Sequence, residues 1–207
     1  MRISARWLSR PSVVVAPALL GCRLVRALPD GTRLAVRLVE TEAYGADDPA
    51  SHSFAGRTAR TEVMFGPAGR LYVYFTYGMH FCANVVTGRA GEGSAVLLRA
   101  GEPVEGLERM AEHRGTGDLR LLCSGPARLC QALAIDRSSN GADVVSGDAV
   151  WLERGARPSA ISRGPRVGIT RAVDEPWRYW ITDDPFVSRG RPGPARRARR
   201  ERAEGRW

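Results

Sequence analysis

The run Thr32–Ala43 constrains this chain most. It reads as a strand, and its period of two puts Leu34, Val36 and Leu38 on one face. Continued without a break, the same register brings Glu40, Glu42 and Tyr44 to that face. An apolar strand face that ends in two carboxylates and a phenol is not an ordinary core edge. A carboxylate placed there loses water, its pKa rises toward neutrality, and it becomes suited to general base work. Pro29-Asp30-Gly31 lies just upstream, with φ fixed at Pro and permissive at Gly. It predicts a tight turn joining this strand to another over Leu24–Ala27.

The same reading extends along the chain. Residues 1–12 read as an irregular lead-in, and Val13–Gly21 as a short apolar helix stopped by glycine. Residues 45–69 lack periodicity and read as loop. Leu71–Phe75 and His80–Val86 read as a hairpin turning at Thr76-Tyr77-Gly78-Met79, with Tyr72 and Tyr74 on the face opposite Leu71, Val73 and Phe75. Ser94–Ala100 is a further strand, ending at Arg99. Helices are expected over Glu105–His113 and Ser124–Ala134, the second capped by Ser124 with Pro126 in its first turn. Short strands are expected near Ala149–Glu153, Arg166–Thr170 and Arg178–Thr182. Hairpin-joined strands outnumber helices, which predicts an α+β domain on a largely antiparallel sheet.

Composition narrows the classes. A chain of 207 residues makes one domain, here residues 1–188, and needs no staples to bury a core. The apolar run Val13–Leu20 is broken by Pro17, is too short to span a membrane and has no convincing cleavage site after it, so a cytoplasmic protein is expected. Cys22, Cys82, Cys123 and Cys130 form no C-x-x-C pair and read as reduced, buried thiols. His80 and Cys82 share a strand face, but no second ligand pair follows, so neither metal nor cofactor is expected. The net charge is +9; residues 188–207 hold eight Arg and two Glu, or +6, leaving +3 on residues 1–187. Residues 189–207 have no apolar face and read as a flexible, Arg-rich tail suited to a polyanion.

The residues that carry chemistry cluster between Glu40 and Asn84. Glu42 is the candidate base, Arg99 its candidate partner in holding a water, and Glu40 the competing carboxylate. Tyr44, His52 and Tyr74 are the side chains that hold a flat heterocycle: tyrosines stack on bases and attract a cationic one, and His52 can donate to a ring atom or stack. Tyr77 and Met79 fall in a turn, where polar residues are usual. Apolar side chains at such a tip suit a wedge between base steps in the minor groove.

These segments, with Pro49–Ser53, Met64–Gly69, Ala95–Ala100, Gly125–Leu133 and Pro165–Ile169, resemble the mammalian-type alkyladenine (3-methyladenine) DNA glycosylases over residues 13–188. The resemblance implies a single mixed domain around a curved antiparallel sheet with a protruding hairpin. It implies Glu42 as the base that activates water, helped by Arg99 and the backbone carbonyl of Val167. It lines the base pocket with Tyr44, His52 and Tyr74, gives Asn84 the part of excluding the wrong purine, and makes Tyr77 the residue that fills the gap left by a flipped nucleotide. The partner it implies is duplex DNA carrying damaged purines, such as 3-methyladenine, 7-methylguanine or hypoxanthine; a monomer associated with the nucleoid is expected. Ala134 departs from a frequent family glycine, and the Arg-rich tail is not a family feature.

One inference needs no relative. Glycosylases that also cut the strand attack the sugar with an amine, usually that of lysine. All 31 basic residues here are arginine, so a monofunctional hydrolase without lyase activity is expected. The rival readings are a non-catalytic damaged-DNA-binding protein on this scaffold, a hydrolase of free nucleosides or small N-glycosides, and a carrier or formyl-transfer module of similar sheet fold.

Overall fold

The computed structural model describes residues 1–76 and 78–190. Tyr77 and most of the Arg-rich tail, residues 191–207, lie outside the described residues. Among the described residues eight strands form one antiparallel sheet: β1 (Arg23–Ala27), β2 (Arg33–Tyr44), β3 (Leu71–Thr76), β4 (His80–Thr87), β5 (Ser94–Glu105), β6 (Val150–Glu153), β7 (Ile161–Gly164) and β8 (Arg178–Ile181). The order is β3-β4-β5-β2-β1-β6, and β8, which carries β7, pairs with the far end of β2 beside β1. The helices are α1 (Ala5–Leu8), α2 (Ser12–Leu19), α3 (Leu107–Arg114), α4 (Leu119–Leu122) and α5 (Pro126–Ala132). The architecture is the expected α+β domain on a curled antiparallel sheet. Among the described residues no helix is long and apolar enough to cross a membrane.

One face of the sheet carries the main core. Leu34, Val36, Leu38, Leu71, Val73, Ala83, Val85, Val96 and Leu98 pack there with Val15, Ala16 and Leu19 of α2 and Leu129, Cys130 and Ala132 of α5. Burial of each large aliphatic side chain contributes roughly 1.5–3 kcal/mol. All four cysteines are free and buried.

The expected unbroken register of β2 is wrong. Facing irregularities interrupt β2 and β5 between Leu38 and Thr41. Val39 is extra on β2, and Arg99 is extra on β5. Each bulge shifts the side-chain parity by one. Past it, Thr41 and Ala43 take the core face, where the Thr41 hydroxyl donates to Ala16 O at 2.9 Å. Glu40, Glu42 and Tyr44 therefore lie on the face opposite Leu34, Val36 and Leu38. The carboxylates leave the apolar core altogether and face the other side of the sheet.

Smaller departures have local causes. β5 runs to Glu105, and the helix expected from there starts at Leu107. Gly106 makes the corner at φ 75°, where a Cβ would collide with the Leu34 side chain. α5 is capped by Gly125, not Ser124, whose hydroxyl instead accepts from Arg128 at 2.9 Å. Ala134, just past this helix, has φ 49°, the left-handed region that favours glycine at a helix end. The strand expected at Arg166–Thr170 is absent: β7 forms earlier, and 165–172 is a loop laid over the end of β2. The supposed irregular lead-in contains α1, capped by Ser4.

Candidate active site

The face of the sheet turned away from the core is charged at one end and aromatic at the other. Glu42 of β2 pairs with Leu97 of β5, Leu97 with Asn84 of β4, and Asn84 with Tyr72 of β3. Leu97, Asn84 and Tyr72 of this row floor a cavity of about 570 Å³. Tyr44, His52, Tyr74, Asn84, Arg99 and Val167 all line it, with Tyr72, Cys82 and Pro126. Glu42 has no exposed surface and sits directly behind the wall.

Three groups hold the Glu42 carboxylate. Val167 N–H donates to Oε1 at 2.8 Å, and the Tyr44 hydroxyl donates to Oε2 at 2.9 Å. Arg99 stands 3.4 Å from Oε1. Burial raises the carboxyl above its ordinary value, and the Arg99 charge, the Val167 N–H and the Tyr44 hydroxyl oppose that rise without cancelling it. Val167 meets Glu42 through its N–H, a contact the sequence reading, which invoked the carbonyl, did not name. A carboxylate has about four lone-pair sites, so room remains for a proton or a water.

Glu40 is placed differently. Its Oε1 accepts from Arg99 Nε at 2.9 Å and Arg178 Nε at 2.6 Å, and its Oε2 accepts from Ser188 N–H at 2.9 Å. Neither carboxylate has exposed surface in the cavity, but Glu42 contacts three of its lining residues, Tyr44, Arg99 and Val167, and Glu40 contacts Arg99 alone.

The aromatic end is a cage. His52 Nδ1 lies 3.1 Å from the Tyr72 hydroxyl, and the His52 ring meets Tyr74 edge-on at 4.5 Å between centroids. Tyr72 and Tyr74 stack at 5.6 Å. His52 is exposed at the mouth; desolvation of its inner side and then the Arg60 charge lower its pKa, so the imidazole is neutral at pH 7. Asn84 is buried and donates to Tyr72 O at 3.2 Å, which fixes its amide at the cavity floor. Arg60 and Arg171, both exposed, stand on the rim. Met79 is not in the cavity: it is 68% exposed in the β3–β4 turn, which Met79 N–H closes onto Thr76 O at 3.2 Å. The adjacent Phe75 is also exposed. Among the described residues no group of three His, Cys, Asp or Glu side chains is gathered that could hold a metal ion.

Sequence reasoning missed Arg166. Its side chain is fully buried and forms a two-point pair with Asp48, which is equally buried. It also donates to Ala43 O at 2.9 Å and lies between the rings of Tyr44 (4.6 Å) and Trp177 (5.0 Å). Arg166 thus ties the loop carrying Val167 to the end of β2 and fixes one face of Tyr44. Arg178, Ser188 and Tyr72 were missed too. An arginine flanked by aromatics in Trp177-Arg178-Tyr179-Trp180 was the available signal for a buried cation.

Comparison with known proteins gives the family. The family model for methylpurine-DNA glycosylase matches residues 6–185. A protein of Chlorobaculum parvum, provisionally named 3-methyladenine DNA glycosylase, is 44% identical over 206 residues, 98% of each chain. Proteins with the same provisional name from Streptomyces avermitilis (46% over 204 residues, 95% of each chain) and Agrobacterium fabrum (48% over 183 residues, 88% of this chain and 90% of that one) are similar throughout. Matched over nearly its whole folded length, the chain belongs to the methylpurine-DNA glycosylase family.

Proposed function

We propose that this protein is a monofunctional DNA glycosylase, which extrudes an alkylated or deaminated purine from duplex DNA and hydrolyses its N-glycosidic bond. One observation carries the reading: the buried Glu42 carboxylate, bonded to the Val167 N–H and the Tyr44 hydroxyl, stands behind the wall of a cavity lined by Tyr44, His52, Tyr72 and Tyr74. Inside a duplex the scissile bond is out of reach, so the nucleotide must leave the stack, at a cost of a few kcal/mol that is smallest for weakly stacked or mispaired bases. Met79 of the β3–β4 turn and Tyr77, two positions before it in the sequence, fill the gap left behind. Tyr44, His52 and Tyr74 take the base, and a cationic alkylated purine gains about 0.5–2 kcal/mol from such faces. The fixed Asn84 amide sets which purine edges fit. Exposed Arg60 and Arg171 suit the phosphates flanking the flipped nucleotide.

A water entering between Arg99 and Glu42, the longest of the three contacts on that carboxylate, is oriented by both. Its oxygen bonds to C1′ of the sugar while the C1′–N bond breaks and its electron pair leaves with the base. The water's proton passes to Glu42. A cationic purine leaves neutral and needs no acid. Without lysine the chain offers no side-chain amine for strand cleavage.

The test uses duplex oligonucleotides with a single 3-methyladenine, 7-methylguanine or hypoxanthine. Free base should appear from at least one, and the strand should stay intact until treated with alkali. Binding without release from all of them would favour a non-catalytic damage-binding protein.

A further inference from the structure

Arg99 lies between two carboxylates but is not shared equally. Its Nε hydrogen-bonds Glu40 at 2.9 Å, its Nη2 lies 3.4 Å from Ser188 Oγ, and only Nη1 approaches Glu42, at 3.4 Å. Glu40 in turn is held from behind by Arg178 Nε and from the side by Ser188 N–H. Gly190 packs against the same guanidinium: a Cβ there would lie 2.8 Å from Arg99 Nη2. Arg99 is therefore held by Glu40 and Ser188 and meets Glu42 through Nη1 alone, without closing a two-point pair with it.

We propose that Glu40 is a positioning residue that engages Arg99 and so keeps Glu42 available as a base. This rests on the reading of Glu42 given above. The charges support it. Glu40, Glu42, Arg99 and Arg178 sum to zero when both carboxylates are ionised (two negative, two positive). The other groups facing Glu42 are the hydroxyl of Tyr44 on its own strand, the Val167 N–H from the overlying loop with Arg166 beyond the Tyr44 ring, Tyr74 on β3 and Cys82 on β4. Burial raises the Tyr74 hydroxyl and the Cys82 thiol, so both stay neutral near pH 7. Glu40 is thus the negative charge that offsets Arg99. Without it, Arg99 and Arg178 would both act on Glu42, and Arg99 would be free to turn its fork onto it. A carboxylate so paired holds its proton less tightly and is a poorer base.

The test is the pH profile of single-turnover base release from purine-methylated duplex DNA, corrected for spontaneous depurination. Glu40→Gln should move the acid limb to lower pH by about 1–3 units, as for a carboxylate gaining a close cation, and lower the plateau by roughly tenfold. Arg178→Gln should move the limb the other way, because Glu40 then draws Arg99 further from Glu42. Opposite shifts are not expected from loss of packing or stability, and Arg178→Gln decides the matter if Glu40→Gln does not fold. An acid limb that Arg178→Gln leaves in place or lowers overturns the proposal. Failure of the underlying reading is distinguishable: there Glu42→Gln would retain base release, whereas here Glu42→Gln is inactive and only the expected shifts are missing.

Discussion

Replacing Arg166 with methionine tests how the loop over the site is held. The change leaves Asp48 charged, buried and facing a thioether, and deprives Ala43 O of its donor. Methionine still fills the slot between Tyr44 and Trp177, so the loss is of charge more than volume. Breaking one side of a buried pair costs about 3–5 kcal/mol. For a domain of this size each kcal/mol lowers Tm by roughly 2–4 °C, so the expected fall is about 6–20 °C. Asp48→Asn keeps an oxygen for Ala50 N–H, which Asp48 now accepts at 3.0 Å. The double variant Asp48→Asn/Arg166→Met should therefore be less destabilised than the sum of the two single ones. Urea unfolding of the four proteins measures this coupling. A loss below about 1 kcal/mol for Arg166→Met, the range of an exposed ion pair, would refute the claim that this pair anchors the loop. The same variant should also slow base release, because the adjacent Val167 N–H is a direct partner of Glu42.

Further expectations concern pH, the hairpin and the tail. The folded-state pKa of Glu42 lies above its ordinary 4.5, so its favourable contribution is complete below that value and is lost as pH rises through the folded pKa. Glu42→Gln should therefore gain Tm relative to the unsubstituted protein as pH rises above 4.5; a difference constant with pH would contradict the raised pKa. Its amide can be accommodated, because Tyr44 can turn its hydroxyl to accept while the Gln oxygen keeps the Val167 N–H. Tyr77→Ala should weaken binding to lesion duplex by about 1–3 kcal/mol more than binding to undamaged duplex, as measured by titration; equal losses would mean Tyr77 is no wedge. Truncation after Gly190, which spares the packing on Arg99 and Val167, should leave single-turnover rates unchanged. If three tail arginines engage phosphates, it should flatten the slope of log K against log[salt] by nearly 3 (~0.9 per contact); an unchanged slope would remove the tail from DNA binding.

How legible the molecule was depended on the range of the interaction that fixes each part. Hairpin turns carry their own chemistry, so β1–β2 at Asp30-Gly31 and β3–β4 at Gly78-Met79 could be located from local residues. Glu42, Tyr44, His52, Tyr74, Asn84, Arg99 and Val167 do gather around one cavity. The bulges that aim them were not read, because Val39 and Arg99 look like ordinary strand residues. Gly101 was the one hint: a Cβ there would lie 3.0 Å from Arg37 O, the close approach of backbones that accompanies a bulge. The Arg166–Asp48 pair spans 118 positions, and the Glu40–Ser188 contact spans 148. No periodicity reports contacts of that kind. The left-handed Ala134 shows the reverse case, where a departure from a family glycine marked a real backbone demand.

The central claim is that Glu42, not Glu40, activates the water. The direct measurement is single-turnover release of free base from purine-methylated duplex DNA, at saturating enzyme, for Glu42→Gln beside the unsubstituted protein, with duplex affinity measured in parallel. The account predicts unchanged affinity and a rate lower by about 10²–10⁴-fold or more, since an amide cannot take the water's proton. Near-normal release by Glu42→Gln, with release lost instead in Glu40→Gln, would contradict it.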